Sequence, residues 1–476
     1  MKSQKSLFLA PMLVLLNFQT AMAGVVGDVK TFKSPNGVTE SCIVVNKLPL
    51  GNYSKGDVEK ENETCAIDFY NNSVALCPKT WSTSPGTIIR DNSSTGKSSA
   101  QSEATNCSQD SSMKSIAKFK QTMNRNGTSG TYSISSILYY HFSRALNATV
   151  DIPVAVYRTM DRKAHYDRVS SKARPSSAAK MNLAGWGHLK NAEITPSTYS
   201  PTSDLFTEDG QIYGAILKDK GERYGFEVNG TRASGWGKGQ NMDFQKTPGF
   251  MALKSSKPMP QAIDDGIDQA FRDPKMSKAF NGARPSQVQT TLWMKEISEI
   301  VILDYIFSQQ DRVGNIDYRW FWIFDNNGQV QMKKEDSEVS LARKGNIRVG
   351  SDIASLNPVL VQKTSIGDND AGGMVSYANF TKATGMLEGI RHIHPDTYTR
   401  LVHLAHDFEQ QGGNFKALQG MGLRADSLKQ TVGNTKMAAS ILMQACESGS
   451  LKFDLVSYKD AYKGQFQSNP VNCRNP

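Results

Sequence analysis

A long apolar helix that ends in a polar loop is the feature that most constrains how this chain can fold. Apolar residues recur at helical spacing from position 293 to 306, and this spacing predicts a buried helix. The following loop contains Asp311, Arg312 and Asn315. An aromatic, β-prone run at 318–324 and a turn at 325–328 come next. A buried helix would hold Asp311 rigidly at its end, so the loop is a candidate site of chemistry.

A second acidic segment, with the sequence TSIGDNDAGG, lies downstream at 364–373 and contains Asp368. With these residues in this order, the chain resembles the atypical kinases: type II phosphatidylinositol 4-kinases, HipA-type kinases and the secretory-pathway kinases. The resemblance implies an α+β fold with a two-lobed kinase-like domain. It also implies that Asp311 orients the acceptor hydroxyl, and that Asp368, helped by Asn315, holds a divalent metal on the phosphates of ATP.

The same resemblance implies a strand with a phosphate-binding lysine upstream of these loops. The run at 115–120 ends in alternating cationic and apolar side chains, so Lys118 and Lys120 would share one face of a strand. Either lysine is a candidate for phosphate binding, and a half-exposed strand with solvated lysines is the alternative. A helical stripe at 134–146 and a β-prone run at 150–158 follow, and they are similar to the upper lobe of these kinases.

Two features depart from the pattern of these kinases. The predicted helix at 133–147 contains no glutamate that could pair with the lysine. Asn315 lies one residue closer to Asp311 than the second metal ligand of the relatives does, and Asp317 is another candidate for that ligand. A nucleotide-binding protein without catalysis therefore stays an alternative.

The first residues have the pattern of a secretion signal. Lys2 and Lys5 precede an apolar run at 7–16, and small residues at 21 and 23 form a cleavage site. An even number of cysteines in an exported chain predicts disulfides. Four lie in the first part of the chain and two near its end, so we expect pairing within each group: Cys42, Cys65, Cys77 and Cys107; Cys446 and Cys473. The pattern predicts a periplasmic or secreted protein.

Composition and turn signals, with the two lobes that the resemblance implies, divide the chain into six predicted segments. They are a signal peptide at 1–23, a small disulfide-stapled β-rich segment at 24–80, a linker rich in Ser, Thr and Asn at 81–112, an upper lobe at 113–162, an insertion at 163–286, and a catalytic lobe with C-terminal helices at 287–476. Within the insertion, the runs at 211–218 and 220–228 predict two strands joined by a polar turn.

The function that the resemblance implies is transfer of the γ-phosphate of ATP, with Mg²⁺ or Mn²⁺, to a protein or lipid hydroxyl. The formal net charge of +10 indicates an anionic partner, such as an acidic substrate. Basic residues are scattered and form no nucleic-acid module, so we expect no nucleic-acid partner. No apolar run after the N-terminus is long enough to span a bilayer. The alternatives are a nucleotidyl transferase, a nucleotide-binding protein without catalysis, and a structural envelope protein.

Overall fold

The computed structural model describes residues 24–218, 221–335 and 347–476, and the predicted signal peptide at 1–23 lies outside them. The predicted α+β class is confirmed, with two β-sheets and helices around both. The strands are β1 (Gly27–Lys33), β2 (Thr39–Val45), β3 (Val74–Pro78), β4 (Thr87–Asp91), β5 (Ser115–Gln121), β6 (Ala155–Met160), β7 (Ile212–Leu217), β8 (Glu222–Arg223), β9 (Asp317–Asn326), β10 (Gln329–Lys334) and β11 (Val359–Ser365).

The helices of the described residues surround these sheets. They are α1 (Lys55–Cys65), α2 (Ser99–Thr105), α3 (Ser133–Ala145), α4 (Arg162–Arg168), α5 (Lys180–Ile194), α6 (Phe226–Asn229), α7 (Lys238–Phe244), α8 (Pro248–Lys254), α9 (Met259–Ala270), α10 (Pro274–Ala279), α11 (Gln287–Phe307), α12 (Phe380–Ala383), α13 (Pro395–Glu409), α14 (Gly413–Gln419), α15 (Ala425–Glu447) and α16 (Tyr458–Tyr462). Within these residues, none of the helices combines the length and the apolar character that a bilayer crossing needs.

The larger sheet, called the upper sheet below, is antiparallel and has the strand order β1-β2-β6-β7-β5-β4-β3. All residues of β7 are buried, as are all residues of β6, which explains why both read as nearly continuous apolar runs. Helix α3 packs against β6 and β7. The lysine-bearing strand β5 therefore lies between β4 and β7, with neighbours on both sides.

The prediction of a hairpin at 211–228 was wrong. Strand β7 lies between β5 and β6 in the upper sheet, whereas β8 pairs with β9 in the other sheet, with Arg223 opposite Asp317. A lone two-stranded hairpin is only marginally stable in water, and β7 gains two neighbours in the upper sheet instead. The chain thus crosses from one sheet to the other between Leu217 and Glu222.

The segment at 81–112, which we expected to be a linker, contains strand β4 and helix α2 instead. Its order comes from polar contacts together with the burial of Ile88 and Ile89 on β4. The buried Arg90 guanidinium donates to the carbonyls of Met113 and Ser108, each at 2.7 Å. Ser98 and Gln101 form a capping box at the start of α2. A composition rich in Ser, Thr and Asn hides such contacts.

Strands from the expected β-rich segment at 24–80 extend the upper sheet at both of its edges. Strand β2 pairs with β6 on one side, and β3 pairs with β4 on the other. The predicted pairing of cysteines within each group is confirmed, because the bridges are Cys42–Cys65, Cys77–Cys107 and Cys446–Cys473. The first two bridges tie these strands to α1 and to the residues after α2.

The smaller sheet, called the lower sheet, has the order β10-β9-β11. Strand β8 pairs with the first two residues of β9, on the side opposite β11. The predicted buried helix is confirmed as α11. The residue that follows it, Ser308, has a left-handed backbone conformation and ends the helix. The predicted aromatic strand and its turn are confirmed as β9 and the connection to β10. Rings of α3 pack on the last residue of α11: the Tyr139 and Phe307 centroids are 4.7 Å apart. This apolar contact joins the two halves of the molecule beside the predicted site.

Candidate active site

The structure brings the predicted site residues together in a cleft between the two sheets. Lys120, on β5, is 7% exposed, and its Nζ lies 3.0 Å from Oδ1 of Asp368 and 3.1 Å from Oδ1 of Asp370. Lys118, on the same strand, is half-buried and faces Asp368 closely enough to influence its ionisation. Of the two lysines that the sequence left open, Lys120 contacts the acidic turn through both Asp368 and Asp370.

The Asp368 carboxylate lies in a strongly cationic environment. The charge of Lys120 is the largest cause that lowers its pKa, and Lys79 and Lys118 add to the effect against the cost of burial. Asp368 is therefore ionised at neutral pH, as a metal or phosphate-site carboxylate needs to be. Lys79 and Lys118 thus add positive charge beside a turn whose two carboxylates, Asp368 and Asp370, pair with Lys120.

The loop after α11 is held by a buried ion pair. Arg312 donates from Nε to Oδ2 of Asp304 at 2.9 Å, and from Nη2 to Oδ1 of Asn369 at 2.8 Å. The Tyr139 hydroxyl, on α3, donates to Oδ1 of Asp304 at 2.6 Å. Arg312 thus joins the last turn of α11 to the acidic turn at 368–370, and the upper helix α3 contacts the same pair.

Asp311 lies in the cleft with its carboxylate half-buried. Asn315 donates from Nδ2 to the Asp311 Oδ2 at 3.1 Å, and Trp236 Nε1 lies 3.4 Å from Oδ1. Burial raises the pKa of Asp311, and the negative charge of Asp368 raises it further, whereas the two donors lower it. The geometry leaves an oriented carboxylate that is a stronger base than an exposed aspartate.

The missing glutamate of α3 is replaced by a different arrangement. Backbone N of Tyr132, at the start of α3, donates to the Asp370 carbonyl at 2.6 Å, and the Ser135 hydroxyl donates to the Asn369 carbonyl at 2.7 Å. Helix α3 therefore fixes the acidic turn, and the turn's carboxylates pair with Lys120. The helix positions the lysine through the turn rather than through a side chain of its own.

The loop between β3 and β4 is a part of the site that the sequence analysis missed. Residues 79–86 pass over β5 and line a small cavity with it: Lys79, Ser84, Gly86, Lys118 and Lys120. The loop fell inside the expected linker because it is rich in serine and threonine. Two short β-prone runs on either side of a Ser-Pro-Gly turn were the signal that could have identified it.

Arg223 is a second residue that the sequence analysis missed. Its guanidinium contacts Oδ1 of Asp317 and Oδ1 of Asn315, each at 2.5 Å, and also the Gly314 carbonyl. Its Nη2 lies 3.5 Å from Oδ2 of Asp368. No local sequence pattern marks this arginine, because its partners come from two other segments of the chain.

The oxygens around Arg223 fit a divalent cation in their chemistry. Asp368, Asn315 and Asp317 offer carboxylate and amide oxygens, which are the ligands that Mg²⁺ and Mn²⁺ prefer, and all three side chains converge on one positive group. Across the parts of the chain that the structure describes, no set of three or more His, Cys, Asp or Glu side chains is arranged to hold a metal ion. This set reaches three ligands only by including the amide of Asn315.

Fold and site together define an α+β protein in which Lys120 of the upper sheet contacts the acidic turn at 368–370 of the lower half. No protein-family model matches the chain, and no curated protein matches it. Among solved structures, eight chains match, and one of them is the crystal structure of the Golgi casein kinase. The two chains are 10% identical, with a TM-score of 0.39, over 84% of this chain and 79% of that chain.

Proposed function

We propose that this protein transfers the γ-phosphate of ATP to a hydroxyl group of a protein or lipid. The observation that carries the proposal is the contact of Lys120 with Asp368 across the cleft, beside Asp311 at the end of a buried helix. Phosphoryl transfer needs few covalent steps from protein groups, and it depends on positioning and on stabilising the charge of the phosphates.

The lysines of the cleft would bind the phosphates of ATP. Lys120 is buried, so its charge acts in a medium of low dielectric constant, where attraction to phosphate is stronger than in water. Lys79 and Lys118 line the same cavity under the β3–β4 loop. The loop would cover the phosphates from above and keep water away from them.

Asp311 would orient the acceptor hydroxyl. Its carboxylate is held by Asn315 and Trp236, and its raised pKa makes it a better acceptor for the hydroxyl proton. Asp368, with Asn315 or Asp317, would hold Mg²⁺ or Mn²⁺, which when bound neutralises charge on the phosphates. The pair of Arg312 and Asp304 would keep the loop in place during turnover.

We also propose that the protein is exported and works in the periplasm or outside the cell. The secretion-signal pattern and the three disulfides support this location, because disulfides persist in oxidising compartments. The excess of positive charge supports an acidic acceptor.

A nucleotide-binding protein without catalysis is the second candidate. The contact of Arg223 with the proposed metal ligands favours it, as does the absence of glutamate from α3. Both candidates predict nucleotide binding, and only the first predicts transfer.

Purified, oxidised protein incubated with γ-labelled ATP and Mg²⁺ or Mn²⁺ separates the candidates. We expect label on an acceptor with the wild type, none with Asp311→Ala, and normal label with Asp268→Ala, which removes an exposed aspartate far from the cleft. An ATP-induced rise in melting temperature without any label would establish the second candidate. Neither label nor a rise in melting temperature would contradict both.

A further inference from the structure

The Arg223 guanidinium lies among the oxygens that the proposed function assigns to the divalent cation. Its three nitrogens meet side-chain oxygens from three places in the chain: Asn315 in the loop after α11, Asp317 at the start of β9, and Asp368 after β11. Two of these groups are carboxylates, which are the hard, anionic ligands that Mg²⁺ and Mn²⁺ prefer. The same oxygens therefore have two competing cationic partners.

The backbone of Arg223 is fixed, whereas its side chain can leave. Strand β8 pairs Arg223 with Asp317, and the next residue, Tyr224, is buried and accepts a hydrogen bond from Nε1 of Trp293 at 3.1 Å. The Arg223 side chain itself is 44% exposed. It can therefore move into solvent without any change in the backbone that carries it.

A guanidinium and a divalent cation compete for these oxygens. Placed within about 4 Å of each other, their like charges repel by at least about 2 kcal/mol even in water, and by more in a partly buried cleft. The oxygens that Arg223 contacts would also be the first ligands of the metal. Binding of one cation therefore requires release of the other.

We propose that Arg223 is an internal competitor of the divalent cation, so that its guanidinium must leave Asn315, Asp317 and Asp368 before Mg²⁺ or Mn²⁺ binds. This inference rests on the proposed function, because it takes these oxygens as the metal ligands. It adds a regulatory step, in which metal loading of the cleft is coupled to release of one arginine. The apparent metal affinity is then the intrinsic affinity multiplied by the fraction of molecules in which the arginine is released.

The test is calorimetric titration of the oxidised protein with Mn²⁺ in the absence of nucleotide. We expect Arg223→Ala to bind Mn²⁺ about tenfold tighter than the wild type, within the usual range for coupled sites. Arg319→Ala is the matched control: it removes one positive charge from the same sheet, two residues beyond Asp317, where the arginine pairs with Asp151 at 3.3 Å. Its Mn²⁺ affinity should equal that of the wild type.

Two further variants make the outcome decisive. Arg223→Gln keeps much of the side chain and tests the same point if Arg223→Ala does not fold. In the Arg223→Ala background, Asp368→Asn should abolish the gain in affinity, because it removes a ligand. Equal Mn²⁺ affinity of the wild type and both Arg223 variants would overturn the proposal, as would an equal gain in Arg319→Ala.

The result is independent of phosphate transfer, since no nucleotide is present. Tighter Mn²⁺ binding by Arg223→Ala in a protein that transfers no phosphate would leave the competition intact and contradict the proposed function alone. If the protein transfers phosphate but the Arg223 variants bind Mn²⁺ no more tightly than the wild type, the proposed function would stand and the competition would be contradicted.

Discussion

Lys120 and Asp368 meet across the cleft, with Nζ of the lysine 3.0 Å from Oδ1 of the aspartate, although 248 residues separate them in the chain. The lysine belongs to a central strand of the upper sheet, and the aspartate follows the last strand of the lower sheet. This ion pair therefore depends on the relative position of the two halves.

Replacing Lys120 with methionine should weaken ATP binding by about tenfold to a hundredfold, because a hydrogen bond to a charged group contributes about 1.5–3 kcal/mol. Lys118→Met, which changes a half-buried lysine on the same strand, should weaken it less. The measurement is the ATP-induced shift in melting temperature as a function of ATP concentration. A larger loss of ATP affinity in Lys118→Met than in Lys120→Met would contradict the proposal that Lys120 contributes more to ATP binding.

The pair of Arg312 and Asp304 should be essential for stability. Both side chains are 3% exposed, so Arg312→Ala leaves a buried carboxylate without its main partner and should cost about 3–5 kcal/mol. Denaturant unfolding of the purified protein measures this change. The exposed pair of Arg284 and Asp268 provides the contrast, since Arg284→Ala should cost less than about 1 kcal/mol. Similar losses in both variants would contradict the structural role of the buried pair.

Trp236→Phe should shift the pH dependence of phosphate transfer. The indole N–H near Oδ1 lowers the pKa of Asp311, so removing this donor should raise that pKa. Asp311 acts as a base only when ionised, and the acidic limb of the kcat/KM profile should therefore move to higher pH. The phenyl ring keeps the packing against Phe380, where the rings now lie 5.4 Å apart edge to face. An unchanged acidic limb would exclude a role of Trp236 in tuning this carboxylate.

Glu296 should make the protein less stable as the pH rises. Burial in α11 raises its pKa from 4.5 to about 7, so the folded state binds the proton more tightly than the unfolded state does. The stability that this protonated carboxyl group contributes is then fully present below about pH 4.5, and it is lost as the pH rises towards and through 7.

Glu296→Gln should remove this loss. Relative to the wild type, its free energy of unfolding should rise by about 2–3 kcal/mol between pH 5 and pH 8, since one pKa unit corresponds to about 1.4 kcal/mol. Denaturant titrations at both pH values measure it. Glu59→Gln, at a site that is 58% exposed, is the control and should show no such change. A constant difference between Glu296→Gln and the wild type would show that the glutamate ionises normally.

Local patterns in the sequence were sufficient for the elements around the catalytic loop. The apolar periodicity at 293–306 encodes helix α11, and the Asn-Gly turn at 327–328 encodes the connection of β9 to β10. These features depend only on residues that are close in the chain. Asp311 and Asn315 could be singled out for the same reason, since both lie at the end of that helix. The positions of the cysteines likewise indicated pairing within each group, whereas the structure decided the pairs among the first four.

Only the tertiary structure decided which distant segments meet. Strand β7 pairs in the upper sheet and not with β8, its neighbour in the sequence, because burial between β5 and β6 stabilises it more than a local hairpin would. The β3–β4 loop lies beside the lysines because β4 pairs with both β3 and β5, and the polar composition of the loop gives no sign of this pairing. Arg223 met its oxygens because β8 pairs with the first residues of β9. Periodicity and turn chemistry act over a few residues, whereas the choice of strand partners depends on burial and hydrogen bonding summed over the whole chain.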